Sequence, residues 1–216
     1  MQPLIPANLE LQACTPRPLD PSRLNPKAAL PYGCKPEHIF EAMQAFLDFL
    51  GFVNIQLNTR NMPRLETFLM AANFSSIVGE FMTATIPKHC PSLVKNRYHN
   101  GHPDLIPAGM FPNDAAQHSE TGIEVKASRY LSGWQGHNAE AIWLLVFAFH
   151  CNGPTDAAKG IEPTPFRFVQ VAGAMLTKAD WQFAGRSETS RRTITASVKP
   201  SGRSKMLKNW IYATNE

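Results

Sequence analysis

The stretch Thr121-Gly122-Ile123-Glu124-Val125-Lys126 predicts a short β-strand that carries two charged side chains among apolar neighbours. Side chains alternate between the two faces of a strand, so Glu124 and Lys126 point to the same side. Pro103-Asp104 lies twenty residues before Glu124, where a neighbouring strand would supply a second carboxylate. We therefore expect Asp104, Glu124 and Lys126 to meet at one point of a β-sheet.

Two carboxylates beside one ammonium form a set of groups suited to phosphodiester hydrolysis. Mg²⁺ binds through one or two carboxylates and keeps positions for water and phosphate oxygens. A lysine beside the metal can orient or deprotonate the attacking water. The simpler alternative is that Glu124 and Lys126 are solvated groups on one strand face and that Asp104 is a turn residue after proline.

The segments 97–107 and 133–138 flank these residues with Arg97-Tyr98-His99-Asn100-Gly101-His102 and Gly133-Trp134-Gln135-Gly136-His137-Asn138. Together with Asp104 and Glu124-Val125-Lys126, they resemble the PD-(D/E)xK nuclease superfamily and, within it, a type II restriction endonuclease. The resemblance covers about residues 75–176, which would form the catalytic core.

The resemblance implies a role for each matching residue. Asp104 and Glu124 would bind Mg²⁺, the carbonyl of Val125 would complete the ligand set, and Lys126 would position or activate the water. Such enzymes often carry a glutamate on the helix before the motif, for which Glu80 is the candidate. Many place a further glutamine or glutamate on the helix after it, and the candidates are Gln135 and Glu140.

The composition is that of one globular domain spanning residues 1–216, with 44% hydrophobic and 18% charged residues. The longest apolar run, 139–151, is too short for a bilayer, which needs about 20 residues. The N-terminus shows no secretory signal pattern, so we expect a cytoplasmic protein. Cys14, Cys34, Cys90 and Cys151 include no CxxC pair and are interpreted as reduced structural thiols. His99, His102 and His137 are interpreted as polar loop residues.

The net charge of +4 is modest, but the basic residues are concentrated near the C-terminus. Residues 186–208 contain seven basic residues against one acidic residue, which is typical of a surface that contacts a phosphate backbone. The predicted contacts to double-stranded DNA are Arg97, His99, Asn100, Arg191, Arg192, Lys199, Arg203 and Lys205. Since cutting both strands takes two sites, we expect a homodimer on a palindrome.

The predicted fold is α/β (α+β), with a mixed central sheet flanked by helices in a restriction-endonuclease-like arrangement. A Pro-rich arm, 1–36, precedes the core and would wrap it, wrap a partner subunit or remain mobile. Helices are predicted at 36–50, 63–72 and 75–85, and a helix or turn at 132–141. Strands are predicted at 52–57, 103–111, 121–127 and 165–176, with 142–151 a strand or a helix end. Thr177 would cap a short helix ending at Phe183. Residues 186–216 would form a basic hairpin with strands 193–198 and 209–213 around a turn at Lys199-Pro200-Ser201-Gly202.

Three rival functions remain open. A repair or junction-resolving nuclease would use the same core on different DNA. A non-catalytic DNA-binding protein would use only the basic C-terminal segment, with Asp104, Glu124 and Lys126 as surface charges. A third alternative is a globular domain that binds another protein through its Pro-rich arm.

Overall fold

The computed structural model describes residues 7–136, 138–183 and 195–214. The helices are α1 (Ala7–Ala13), α2 (Pro36–Asn58), α3 (Leu65–Phe68), α4 (Ala71–His89) and α5 (Pro200–Lys208). The strands are β1 (Leu93–Lys95), β2 (Leu105–Pro107), β3 (Ile123–Ser128), β4 (Gln135–Gly136), β5 (Ile142–His150), β6 (Arg167–Leu176), β7 (Trp181–Phe183), β8 (Ala196–Val198) and β9 (Trp210–Ala213). None of the helices within these ranges has the length and hydropathy needed to cross a bilayer.

Six strands form one mixed sheet in the order β1-β2-β3-β5-β6-β9. Only β3 and β5 run parallel, and the other neighbours in this sheet are antiparallel. A smaller sheet, β4-β8-β7, is entirely antiparallel. A mixed central sheet with helices packed against it confirms the predicted α/β class.

Both faces of the central sheet are covered, which explains why β5 is apolar along its length. One face packs against α2 and α4 through a core rich in phenylalanine, in which Phe46 meets Phe166 with ring centroids 5.3 Å apart. On the other face Trp134, Trp181 and Met206 bring the small sheet and α5 against β5 and β6. The alternative of a helix end at 142–151 is therefore wrong, because this segment is the central strand.

The second helix is longer than predicted, and the expected strand at 52–57 does not form. Two contacts keep this segment helical. Gly51 is buried beneath Pro16, where an added Cβ would lie 3.1 Å from the proline ring, so this glycine permits close packing rather than ending the helix. Asn54 is also buried and binds the Glu66 carboxylate and the Leu65 N–H, which ties the last turns of α2 to the next segment.

A buried ion pair anchors this corner of the molecule. Arg64 and Glu66 are joined at 2.7 Å, with side chains 2% and 0% exposed. The remaining donors of Arg64 reach the Asn152 amide oxygen, the Thr164 carbonyl and the Glu10 carboxylate. One guanidinium thus links α1, α3 and the connection from β5 to β6. The predicted helix 63–72 is divided here into α3 and the start of α4.

The described part of the Pro-rich arm lies on its own chain. Arg17 N–H donates to the Phe166 carbonyl, Asn25 N–H donates to the Ile211 carbonyl, and Leu24 bridges Tyr212. The arm therefore lies along the last strand, β9, and covers the edge of the central sheet, which agrees with the first of the three alternatives for this segment.

The prediction of a basic C-terminal hairpin is wrong for the described residues. β8 and β9 belong to different sheets, and α5 lies between them. Lys199-Pro200-Ser201-Gly202 was expected to turn, but Pro200 occupies the first helical position, which suits its fixed φ. Gly202 is buried inside α5, against Asp180 and Val198.

Two neighbouring segments also differ from expectation. Residues 132–141 were expected to form a helix or a turn, and their described part contains no helix but the short strand β4, which pairs with β8. Thr177 does act as an N-cap, in a capping box with Asp180, but the element is a single 3₁₀ turn at Lys178–Asp180 followed by β7. Strand β1 was not predicted.

Candidate functional site

The register of β2 and β3 brings the two predicted carboxylates together. Leu105 pairs with Ile123 in an antiparallel ladder, so the preceding residue, Asp104, lies opposite Glu124. One Asp104 carboxylate oxygen accepts a hydrogen bond of 2.8 Å from Val125 N–H. The N–H and C=O of one residue in an extended strand face the same edge, so the Val125 carbonyl is directed toward the Asp104 side.

A glycine makes this close approach sterically feasible. Gly122 has φ of +145°, and a Cβ there would lie 2.3 Å from the Leu105 carbonyl oxygen and 2.4 Å from the Pro103 ring. A side chain at position 122 would push β2 away from β3. The spacing between the two carboxylates therefore depends on the absence of a side chain at position 122.

Lys126 completes the predicted cluster. It follows Glu124 by two residues on β3, and its ammonium donates to the Glu124 carboxylate. Burial alone would lower the pKa of Lys126, but the Glu124 and Asp104 carboxylates outweigh it and raise the pKa. Lys126 is therefore a cation at neutral pH rather than a proton acceptor.

The two carboxyl groups titrate in opposite directions. Burial, followed by the nearby charge of Glu124, raises the pKa of Asp104. Burial also acts to raise the pKa of Glu124, but hydrogen bonding to His102 and the charge of Lys126 outweigh it and lower the pKa. The charge of Lys126 also acts to lower the pKa of Asp104, but it does not outweigh burial and the charge of Glu124.

His102 is part of the cluster, although it was predicted to be an ordinary loop residue. Its Nδ1 lies 3.0 Å from the Glu124 carboxylate, and its Nε2 lies 3.0 Å from the Glu140 carboxylate. Burial lowers the pKa of His102, but these two carboxylates raise it by more. Because carboxylates only accept hydrogen bonds, both ring nitrogens donate and the imidazolium links Glu124 to Glu140. The sequence carried no periodic signal for this role, because residues 103 and 104 form a bend between His102 and strand β2.

His102, Asp104, Glu124 and Lys126 line an open cleft of about 1020 Å³. Arg97, His99 and Asn100 line the same cleft and are exposed, as a role in DNA contact requires. Glu80 lies at the rim on α4, where it pairs with Lys95 at 2.7 Å. Its side chain is 70% exposed, and its charge acts on Asp104 only weakly, as the last of the causes that shift the pKa of that group.

The two residues expected on a following helix are on other elements. Gln135 lies on β4, paired with Ser197, and it is not among the described residues that line the cleft. Glu140 is in the loop before β5; it contacts His102, and its charge also acts on Lys126. The expected helix is absent from the described part of 132–141 because this segment contributes an edge strand to the small sheet.

The predicted C-terminal DNA contacts are partly engaged with their own chain. Lys199 donates to the Ala179 carbonyl, Arg203 donates to the Leu131 carbonyl, and Lys205 pairs with Asp180 at 2.7 Å. All three belong to α5 or its N-cap rather than to a hairpin. Arg191 and Arg192 lie outside the described residues.

The donor set fits a hard divalent cation. Two carboxylates and a backbone carbonyl supply only oxygen, which Mg²⁺ prefers. A cation held between Asp104 and Glu124 would also offset the negative charge that these two groups bring together. Asp104, Glu124 and Lys126 therefore lie together, as the sequence motif predicts, and Mg²⁺ binding by them stays a prediction.

Comparison with other proteins adds no further assignment. No protein-family model matches the chain, and no curated protein is significantly similar to it. The geometry of the cleft is therefore the basis for proposing a function.

Proposed function

We propose that the protein is a Mg²⁺-dependent endodeoxyribonuclease of the PD-(D/E)xK type, acting as a type II restriction endonuclease. The observation that supports this most is the meeting of Asp104, Glu124 and Lys126, from two adjacent strands, at the wall of an open cleft. A surface charge cluster without catalytic function would not require two carboxyls to be buried against each other.

The charges of these side chains indicate a role for each of them. Asp104, Glu124 and the Val125 carbonyl would hold Mg²⁺, which neutralises charge on a phosphodiester and makes a bound water more acidic. Lys126 remains protonated, so it serves as a hydrogen-bond donor that positions water and stabilises negative charge on phosphate. His102 would be a positioning residue, because it contacts one oxygen of the Glu124 carboxylate while Lys126 contacts the other.

Duplex DNA would enter along the cleft. Arg97, His99 and Asn100 stand exposed beside the carboxylates and can contact phosphates or base edges. Lys205 and Arg203 lie on α5, and their present contacts to Asp180 and Leu131 would have to be exchanged for contacts to DNA. A symmetric dimer on a palindromic site would give each strand of the duplex one cluster.

We expect the purified protein to cut linear phage DNA into discrete fragments in Mg²⁺ and to leave it intact in EDTA. Sequencing the fragment ends should reveal one short palindrome. A smear of random ends, or cleavage restricted to branched DNA, would favour the repair or resolving nuclease. Binding without any cleavage across divalent metals would leave only the non-catalytic DNA-binding function.

Replacement of His102 by glutamine should raise the Mg²⁺ concentration needed for half-maximal cleavage by about 10–100-fold, because residues that orient metal ligands have effects of this size. Cleavage at saturating Mg²⁺ should recover toward the wild-type rate, which separates positioning from catalysis. His150→Gln, at the far end of β5, is the matched control and should leave the Mg²⁺ requirement unchanged. An unaltered requirement in His102→Gln would remove His102 from the site.

A further inference from the structure

Three side chains that bind soft metals meet where α2 begins and α4 ends. Cys34, His38 and Cys90 each offer one ligand atom, and all three atoms lie within 4.8 Å of one another. Both cysteines are buried, with exposures of 5% and 0%, and His38 is partly exposed. The donor atoms of this cluster differ from those of the carboxylate cluster, since they are sulfur and nitrogen rather than oxygen.

Local structure holds each ligand in place. Cys34 follows a turn in which Tyr32 and Gly33 have positive φ, and Cys90 caps the C-terminus of α4. His38 lies in the first turn of α2, where its Nδ1 accepts from the Lys35 N–H at 3.2 Å, and the imidazole would give up this bond to bind a metal. Ser92 joins the two cysteine segments, because its hydroxyl lies 3.2 Å from the Cys90 sulfur and donates to the Tyr32 carbonyl at 2.6 Å.

The charge balance of this pocket favours a divalent metal. Binding of a dication by two cysteines releases the thiol protons, and the two thiolates neutralise the two positive charges of the metal. With imidazole as the third ligand, the occupied pocket has no net charge, and the usual cost of burying a charge is avoided.

We propose that Cys34, His38 and Cys90 form a binding site for Zn²⁺ or a similar soft divalent transition metal, with water as the fourth ligand. Thiolate and imidazole are ligands that zinc prefers, and Mg²⁺ does not compete for them. The metal would join the N-terminal end of α2 to the C-terminal end of α4, the two helices that pack on one face of the central sheet. The site is independent of the proposed cleavage chemistry.

Cobalt titration tests the site directly. The reduced, chelator-treated full chain should bind one equivalent of Co²⁺ with the visible bands of tetrahedral cobalt and a thiolate-to-cobalt charge-transfer band, and Zn²⁺ should abolish both. Cys34→Ser and Cys90→Ser should each weaken binding at least about tenfold and reduce the charge-transfer band, and the double variant should lose it. Cys14→Ser, which removes another buried thiol, and Glu124→Gln, in the carboxylate cluster, should both retain it.

A measurement on the wild-type chain guards against variants that fail to fold. One equivalent of Zn²⁺ should protect Cys34 and Cys90 from alkylation, relative to the metal-free chain, and leave the labelling of Cys14 and Cys151 unchanged. The proposal is overturned if no charge-transfer band appears, if the double cysteine variant keeps it, or if Zn²⁺ protects neither cysteine. Recovery of the native chain with a Cys34–Cys90 disulfide would also overturn it.

Discussion

We expect Glu124→Gln to lower the rate of DNA cleavage in Mg²⁺ by about a hundredfold to a thousandfold, the size of effect seen when a key electrostatic group is removed. Glutamine keeps the shape of the side chain and its hydrogen bonding but removes the charge that would hold the metal. The same change leaves Lys126 and His102 with one carboxylate partner fewer. DNA binding should survive, because the exposed residues of the cleft that would contact phosphate are untouched.

Single-turnover cleavage of a plasmid, with binding measured in parallel in Ca²⁺, checks this result. Glu120→Gln is the matched control, since Glu120 is an exposed glutamate in the loop before β3. It should cut at the wild-type rate. Cleavage by Glu124→Gln at the rate of the control would show that the carboxylate cluster is not the catalytic site, even if the protein is a nuclease.

Arg64→Met lowers the free energy of unfolding by about 3–5 kcal/mol, because it leaves the Glu66 carboxylate buried without a cation. The Glu66 side chain is fully buried, and after the change only the Asn54 amide would still donate to it. The loss should extend beyond the pair, since the same guanidinium also contacts Asn152 and Thr164 in the connection between β5 and β6.

Urea unfolding, followed by circular dichroism, measures this loss. Arg60→Met, at an exposed position just after α2, should change stability by less than about 0.5 kcal/mol. The double variant Arg64→Met/Glu66→Met should lose less than the sum of the two single changes, because neither charge is then stranded. A loss in Arg64→Met no larger than in the control would mean that the buried pair contributes nothing to stability.

The cluster of Asp104, Glu124 and Lys126 could be predicted from the sequence because side chains alternate regularly along a strand. Strand alternation places Glu124 and Lys126 on one face. A shift of two residues in the register of the antiparallel partner would have separated Asp104 from them. The register that joins them depends on Gly122, a residue that the sequence alone did not identify as a spacer. His102 was missed because its importance comes from Glu140, which lies 38 residues away in the sequence.

The errors in secondary structure share a cause. Residues 52–57 have strand-forming side chains, and Lys199-Pro200-Ser201-Gly202 looks like a turn, but tertiary contacts decide otherwise in both places. Asn54 is held by Glu66, and Gly202 is packed against Asp180. Local propensity is a weak guide when a distant partner fixes the backbone.

The cysteines illustrate the same limit. A search for CxxC spacing cannot detect Cys34 and Cys90, because they are brought together by the packing of α2 against α4. His89 directly precedes Cys90 in the sequence, yet it pairs with Glu41 and does not join the cluster around Cys90.

A genetic screen for chains that accumulate normally but no longer cut DNA should recover changes at Gly122, although this residue has no reactive atom to lose. A methyl group there is enough to wedge apart the strands that carry the acidic pair. Every functional group would remain chemically intact and be out of place. The inactivating positions would then include a residue that contributes by letting two strands approach closely.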